Sequence, residues 1–155
     1  MISQTAEYAL RAIVFLADQD GQPQTTAKIS EGTQIPAGYL AKVMQVLNRG
    51  GIVNAQRGLY GGFTLIKTPE ELTVLEVINA VEPIQRYYEC PLKIPHHGPE
   101  LCPLHRKLDD AAQLLQQSFG ESTIASLISV PETRRPLCRM SGSSPTDNIV
   151  DKGSG

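Results

Sequence analysis

The chain of 155 residues is 41% hydrophobic and 19% charged, a composition for one ordinary water-exposed domain plus an appendage, and no apolar run approaches bilayer length. The N-terminus lacks a signal-peptide pattern, so a cytoplasmic protein is expected and exported or membrane-spanning classes are set aside. The net charge of -2 conceals an asymmetry: residues 24–67 carry Lys28, Lys42, Arg49, Arg57 and Lys67 against Glu31 alone, a local +4 in a chain whose remainder is -6, and such a basic segment is a candidate for phosphate contact.

Ala6, Ala9, Leu10, Ile13, Leu16 and Ala17 recur at helical steps, which predicts an amphipathic helix over residues 2–17, ended by Asp20-Gly21-Gln22-Pro23. Glu7 falls on its first turns, where a solvated carboxylate is favourable in any case. Thr25 or Thr26 can cap a short second helix through Glu31, with Gly32 as left-handed terminator. Pro36, pre-set for a first helical position, opens a third helix reaching Asn48. Its apolar face is Leu40, Val43, Met44 and Leu47; Gly38, Ala41, Lys42, Gln45 and Arg49 are small or polar and free to face outward. Two short helices joined by a tight turn, the second polar on its outer side, make a helix-turn-helix.

Ile52-Val53 and Phe63-Thr64-Leu65-Ile66 flank Gln56-Arg57-Gly58-Leu59-Tyr60-Gly61-Gly62, the pattern of a hairpin with a glycine-rich tip. A hairpin directly after a helix-turn-helix is a wing, and Arg57 at its tip can enter a minor groove. Taken alone it would be a plain hairpin with a solvated arginine. Thr73 and Glu76 fit a capping box for a helix carrying Val77, Ile78 and Val81, with Thr68-Pro69-Glu70-Glu71 as a competing start.

From Cys90 to His105 lie two of the three cysteines and all three histidines. Three prolines and a glycine before Cys102 exclude a regular helix or a central strand, so this is a loop. An odd cysteine count in a reducing compartment points to ligands, redox groups or buried thiols rather than disulfides. Thiol and imidazole are donors that zinc, copper and iron–sulfur clusters prefer; a surface loop with scattered histidines is the plainer alternative. Pro103 then opens a long helix on which Leu104, Leu108, Ala111, Leu115 and Ser118 form a heptad-like seam, suited to packing on a partner helix. Gly120 is a candidate break before Ile124, Leu127 and Ile128. The expected architecture is mainly α with a small β-wing: a winged helix-turn-helix over 1–83, a ligand loop over 84–102, a dimerisation helix region over 103–130, and a disordered tail over 131–155 in which Cys138 has no assigned role.

The order Tyr8-Ala9-Leu10-Arg11, Ile35-Pro36, Tyr39-Leu40-Ala41-Lys42-Val43, Arg57-Gly58 with Gly61-Gly62-Phe63, Leu72-Thr73-Val74, and Val77-Ile78-Ala80-Val81-Glu82 resembles bacterial winged-helix regulators of the IscR and NsrR type, over nearly the whole chain to about Ile128. The resemblance implies a homodimer, joined through the long helix, on a pseudo-palindromic operator in double-stranded DNA. On that reading Gly38, Tyr39, Ala41 and Lys42 face the major groove and phosphates. Thr26 and Lys28 contact the backbone, and Arg57, with Gly58 and Gly61, brings the wing to the minor groove. Small Gly38 and Ala41 leave base readout to Lys42, Gln45 and the wing.

The resemblance also implies, for many members, a 2Fe–2S or 4Fe–4S cluster in the loop before the long helix, sensing redox state, nitric oxide or iron supply; other members lack a cluster and act through protein partners. The usual cluster pattern is three cysteines separated by five residues each, sometimes with a histidine three positions after the last. Here Cys90, His96, Cys102 and His105 keep those spacings, but a histidine stands at the middle position. Histidine on a cluster iron is chemically feasible, and the departure equally fits zinc or a lost cluster. In the nitric-oxide-sensitive branch an acidic residue just before Tyr-Ala-Leu-Arg supplies a ligand from the opposite subunit, and Glu7 occupies that place. The ligand set expected for a cluster, 2Fe–2S being the preferred type, is Cys90, Cys102 and His105 of one chain with Glu7 of the other, His96 competing for a place. An enzyme built on Cys102 and His105 is disfavoured: no oxyanion donor, paired acid/base carboxylates or pocket motif accompanies them.

Overall fold

The structure is a computed structural model and describes residues 2–92 and 100–131. Helix α1, Gln4–Ala17, begins at Ser3, whose hydroxyl accepts the Ala6 N–H at 3.2 Å. It buries Ala6, Ala9, Ala12, Ile13, Val14 and Leu16. The small alanines let other elements close on it, and α1 packs against four of the helices introduced below, α2, α3, α4 and α6.

Helix α2, Thr26–Thr33, is capped by Thr25, whose side chain accepts the Lys28 N–H. The left-handed residue that ends α2 is Gln34 (φ 59°, ψ 28°), and this corrects the role expected of Gly32. Gly32 instead lies against a ring: a Cβ there would sit 2.1 Å from Phe15 Cε2, so that side chain would have to shift. Helix α3, Ala37–Arg49, starts one residue later than expected, with Pro36 as its cap rather than its first helical residue. The Pro36 carbonyl accepts the N–H groups of Tyr39 and Leu40. Leu40, Val43, Met44 and Leu47 are buried, as their spacing requires.

Strands β1, Val53–Gln56, and β2, Gly62–Leu65, pair antiparallel with Val53 opposite Leu65 and Gln56 opposite Gly62. The hairpin does not hang free. Gln24 and Phe63 exchange both backbone hydrogen bonds, 3.1 and 2.9 Å, so the wing stem is tied to the residue just before the α2 cap. Gly62 makes this crossing possible: its φ is 151°, and a Cβ would lie 2.7 Å from the Gln24 carbonyl carbon.

The capping box at Thr73 and Glu76 is fully formed and opens α4, Val74–Val81. Thr68 makes only a turn, its N–H and hydroxyl donating to the Glu71 carboxylate. Helix α5, Pro103–Gly120, follows with Pro103 in its first turn and Cys102 as its cap. Its 18 residues span about 27 Å. The chain then turns back: Val74 N–H donates to Ser122 O, Ile124 N–H donates to Leu72 O, and the short α6, Ile124–Ile128, packs on α1. Ile124, grouped above with the dimerisation region, is therefore fully buried in the winged-helix core with Ile13, Leu40, Met44, Leu72 and Val77. No helix among the described residues is long and apolar enough to cross a membrane.

Candidate functional site

The helix-turn-helix presents its outer face as the periodicity requires. Gly38, Tyr39, Ala41, Lys42, Gln45 and Arg49 are all exposed along α3, and Lys28, Arg57 and Gly58 are exposed on α2 and the wing, with Thr26 and Gly61 half-buried. Among the described residues Lys28, Lys42 and Arg57 enter no ion pair, which leaves their charge available to an anionic partner. Lys67 differs: it pairs with Glu76, holding that carboxyl below its usual range, and contributes less to the basic face than its sequence position suggests. Tyr39 is anchored by its own fold. Its hydroxyl lies 2.6 Å from Thr5 Oγ1 and its ring meets Tyr8 edge-on with centroids 5.3 Å apart, so α1 fixes the entrance of α3.

The ligand loop and the start of α5 converge. The Sγ atoms of Cys90 and Cys102 and a ring nitrogen of His105 lie within 4.8 Å of one another. Nδ1 of His105 stands 3.1 Å from Cys102 Sγ and 3.8 Å from Cys90 Sγ. Cys90 and His105 are buried, and the Tyr87 ring packs on the imidazole with centroids 5.2 Å apart. The Cys102 thiol is held down to about 7 by the His105 backbone N–H, by the His105 ring and by Cys90, so its thiolate, the ligating form, is favoured. Two soft sulfurs and an imidazole are a donor set that fits iron or zinc and could supply three of four ligand positions. His96 falls outside the described residues. Glu7 is not at this centre in its own chain: its carboxylate takes Arg11 Nε and Nη2, while Arg11 Nη1 donates to Thr33 O.

What holds the centre together was not visible in the sequence. Arg86 grips Asp109 through two hydrogen bonds, 2.6 and 2.8 Å, and the Tyr87 N–H donates to the same carboxylate at 2.8 Å. The segment ending in Cys90 is thereby fastened to the helix that carries His105. Asp109 lies one helical turn after His105 on the same inner face, the one clue available beforehand. The Arg86 hydrogen bonds and then the Tyr87 N–H pull the Asp109 carboxyl down to about 2. A folded value below the unfolded one, about 3.9, means this contribution is complete above that pH and disappears as pH falls toward about 2. Asp109→Asn is expected to be less stable than the wild type at neutral pH in urea melts, with the difference narrowing over that acidic window. A constant difference across the window would contradict the clamp.

The sequence profile of the Rrf2 family, described as iron-dependent transcriptional regulators, matches residues 2–130. A protein of Aquifex aeolicus (strain VF5) described as an HTH-type transcriptional regulator is 32% identical over 136 residues, covering 85% of this chain and 94% of that one. Two solved structures share the fold. CymR (YrzC), the global cysteine regulator of B. subtilis, has a TM-score of 0.66 at 24% identity, covering 82% of this chain and 95% of that one. IscR of T. potens has a TM-score of 0.66 at 20% identity, covering 81% and 84%. With a family match over most of its length and this winged-helix architecture, the chain belongs to the Rrf2 family of iron-dependent transcriptional regulators.

Proposed function

We propose that this transcriptional regulator binds double-stranded operator DNA as a homodimer and that an iron–sulfur cluster, of 2Fe–2S type, sets its operator affinity. Cys90, Cys102 and His105 Nδ1 would hold the cluster, with the partner subunit's Glu7 in the fourth position and His96 as its competitor. The observation that carries this is the convergence of the three donors at the cap of α5. When bound, the cluster supplies a centre that responds to electrons, nitric oxide or iron supply. The chain's own residues do the rest. Cys102 and His105 begin α5, Arg86 and Asp109 lock the Cys90 segment to it, and the Leu104, Leu108 and Leu115 seam stands exposed for a second copy. A change in ligand demand at Cys102 therefore acts on the helix whose angle fixes the spacing of two reading heads, the quantity a palindromic operator measures.

Metal and sulfide analysis of protein purified without oxygen tests the cofactor: iron and sulfide together are expected. The histidine at position 96, where the family's cluster pattern has cysteine, favours a second reading, a zinc-holding or ligand-free regulator governed by a protein partner. Stoichiometric zinc without sulfide would establish it over the first. For the interface, Arg57→Ala is expected to weaken specific DNA binding by about 1–3 kcal/mol, the loss of one groove contact. Unchanged affinity in a salt-controlled titration would remove the wing from the interface.

A further inference from the structure

The apex of the wing carries the two most exposed large hydrophobic side chains among the described residues, Leu59 at 92% and Tyr60 at 87%. Neither packs on the core, and the Tyr60 hydroxyl has no hydrogen-bond partner among the described residues. Their burial contributes nothing to folding, so the fold does not account for them. The turn that displays them is closed by its own backbone. The Gly61 N–H donates to Gly58 O at 3.0 Å, Gly58 sits at φ 107°, and Gly61 lies so close to the Gln56 carbonyl that a Cβ would approach it to 2.5 Å. Below the apex, the Gln24–Phe63 bridge fixes the stem to the start of the helix-turn-helix. The apolar pair thus stands on a hairpin whose stem is joined to the start of the helix-turn-helix, two and three residues after Arg57, which enters no ion pair among the described residues.

We infer that Leu59 and Tyr60 form an apolar wedge that enters the minor groove of bound duplex DNA beside Arg57, unstacks a base step and bends the duplex. The inference rests on the DNA-binding reading above. The charge around the tip selects the partner: Arg57 next to the pair, with Lys28 and Lys42 uncommitted on the adjoining helices, suits a polyanion with an apolar interior rather than an apolar protein groove. A minor groove about 6 Å wide admits such side chains once widened, and leucine-type wedges at base steps are a recognised way to bend a duplex. Tyrosine adds a flat face on which a base or sugar can stack.

The test uses the full chain and a duplex that the wild type selects from a randomised pool. Affinity is measured over a salt series, and bending is read by energy transfer between end-labelled strands. The double variant Leu59→Ser, Tyr60→Ser is expected to bind roughly tenfold more weakly, the scale of one lost stacking contact. It should bend the duplex less yet keep the salt slope, because no phosphate contact is removed. Tyr60→Phe should retain wild-type behaviour, and all variants should melt like the wild type because the altered side chains are solvent-exposed. Unchanged affinity and bending in the double variant would overturn the wedge while leaving DNA binding intact. A change of oligomeric state without DNA would assign the tip to a second copy of the chain and overturn it equally. Failure of the wild type to select any duplex would overturn both the wedge and the reading beneath it.

Discussion

Cys102→Ala and Cys90→Ala are each expected to give colourless protein, free of iron and sulfide, from the same oxygen-free purification that gives coloured wild type. The size of the effect follows from how few donors there are. The described residues of the chain bring only Cys90, Cys102 and His105 together, so removing either cysteine takes away one of the two thiolates, the donors on which clusters chiefly depend. The Cys102 thiol is drawn toward the thiolate, and as the cap of α5 it joins the Cys90 segment to the proposed dimer helix. His105→Ala separates a ligand from a spacer: with a ligating Nδ1 the cluster content falls, whereas a purely packing role against Tyr87 would leave iron and sulfide at wild-type levels. Undiminished iron and sulfide in both cysteine variants would dismiss this centre altogether.

Gly62→Ala is expected to cost about 3 kcal/mol and to detach the wing from the helix-turn-helix. Two effects add. The added Cβ would meet the Gln24 backbone at 2.7–2.9 Å, with no flexible side chain to move aside, and the residue would be held at a φ of 151° that alanine rarely adopts. Relief requires breaking the two Gln24–Phe63 hydrogen bonds. Against a total stability of about 5–15 kcal/mol that is a large fraction, visible in urea denaturation. Gly58→Ala is the control, because it shares a positive φ but opens onto empty space and should cost less. If the two variants destabilise equally, the Gln24 crossing is not the reason for glycine at position 62. Because the stem carries Arg57 and the apex, Gly62→Ala should also weaken DNA binding in conditions where the rest of the chain remains folded.

The parts of this fold that are local in sequence were legible in it. The spacing of Leu40, Val43, Met44 and Leu47 placed α3, the Thr73 and Glu76 pair placed the start of α4, and Pro103 marked the start of α5. Each is decided by neighbours within a helical turn or two. What escaped depends on residues far apart in the chain. Gln24 meeting Phe63, Leu72 meeting Ile124, and Arg86 meeting Asp109 leave no periodic trace, because a pair formed across 23 or more positions imposes no rule on its neighbours. Gly32 shows the same limit in one residue. Helix-ending chemistry offered a reason for glycine there, but Gln34 takes the left-handed turn, and what Gly32 meets is the Phe15 ring. At the candidate centre the donor types and spacings were readable, while the Arg86–Asp109 clamp and the choice of Nδ1 as the inward nitrogen needed the folded chain.

The central claim is that the centre at Cys90, Cys102 and His105 governs DNA affinity. Its most direct test is one titration of a selected duplex at fixed salt, performed on a single anaerobic preparation before and after a chelator strips its iron. The two affinities are expected to differ by about tenfold or more, a coupling on the scale of ordinary allosteric control, and Cys102→Ala should match the stripped protein whether or not chelator is added. Equal affinities before and after iron removal would contradict the account.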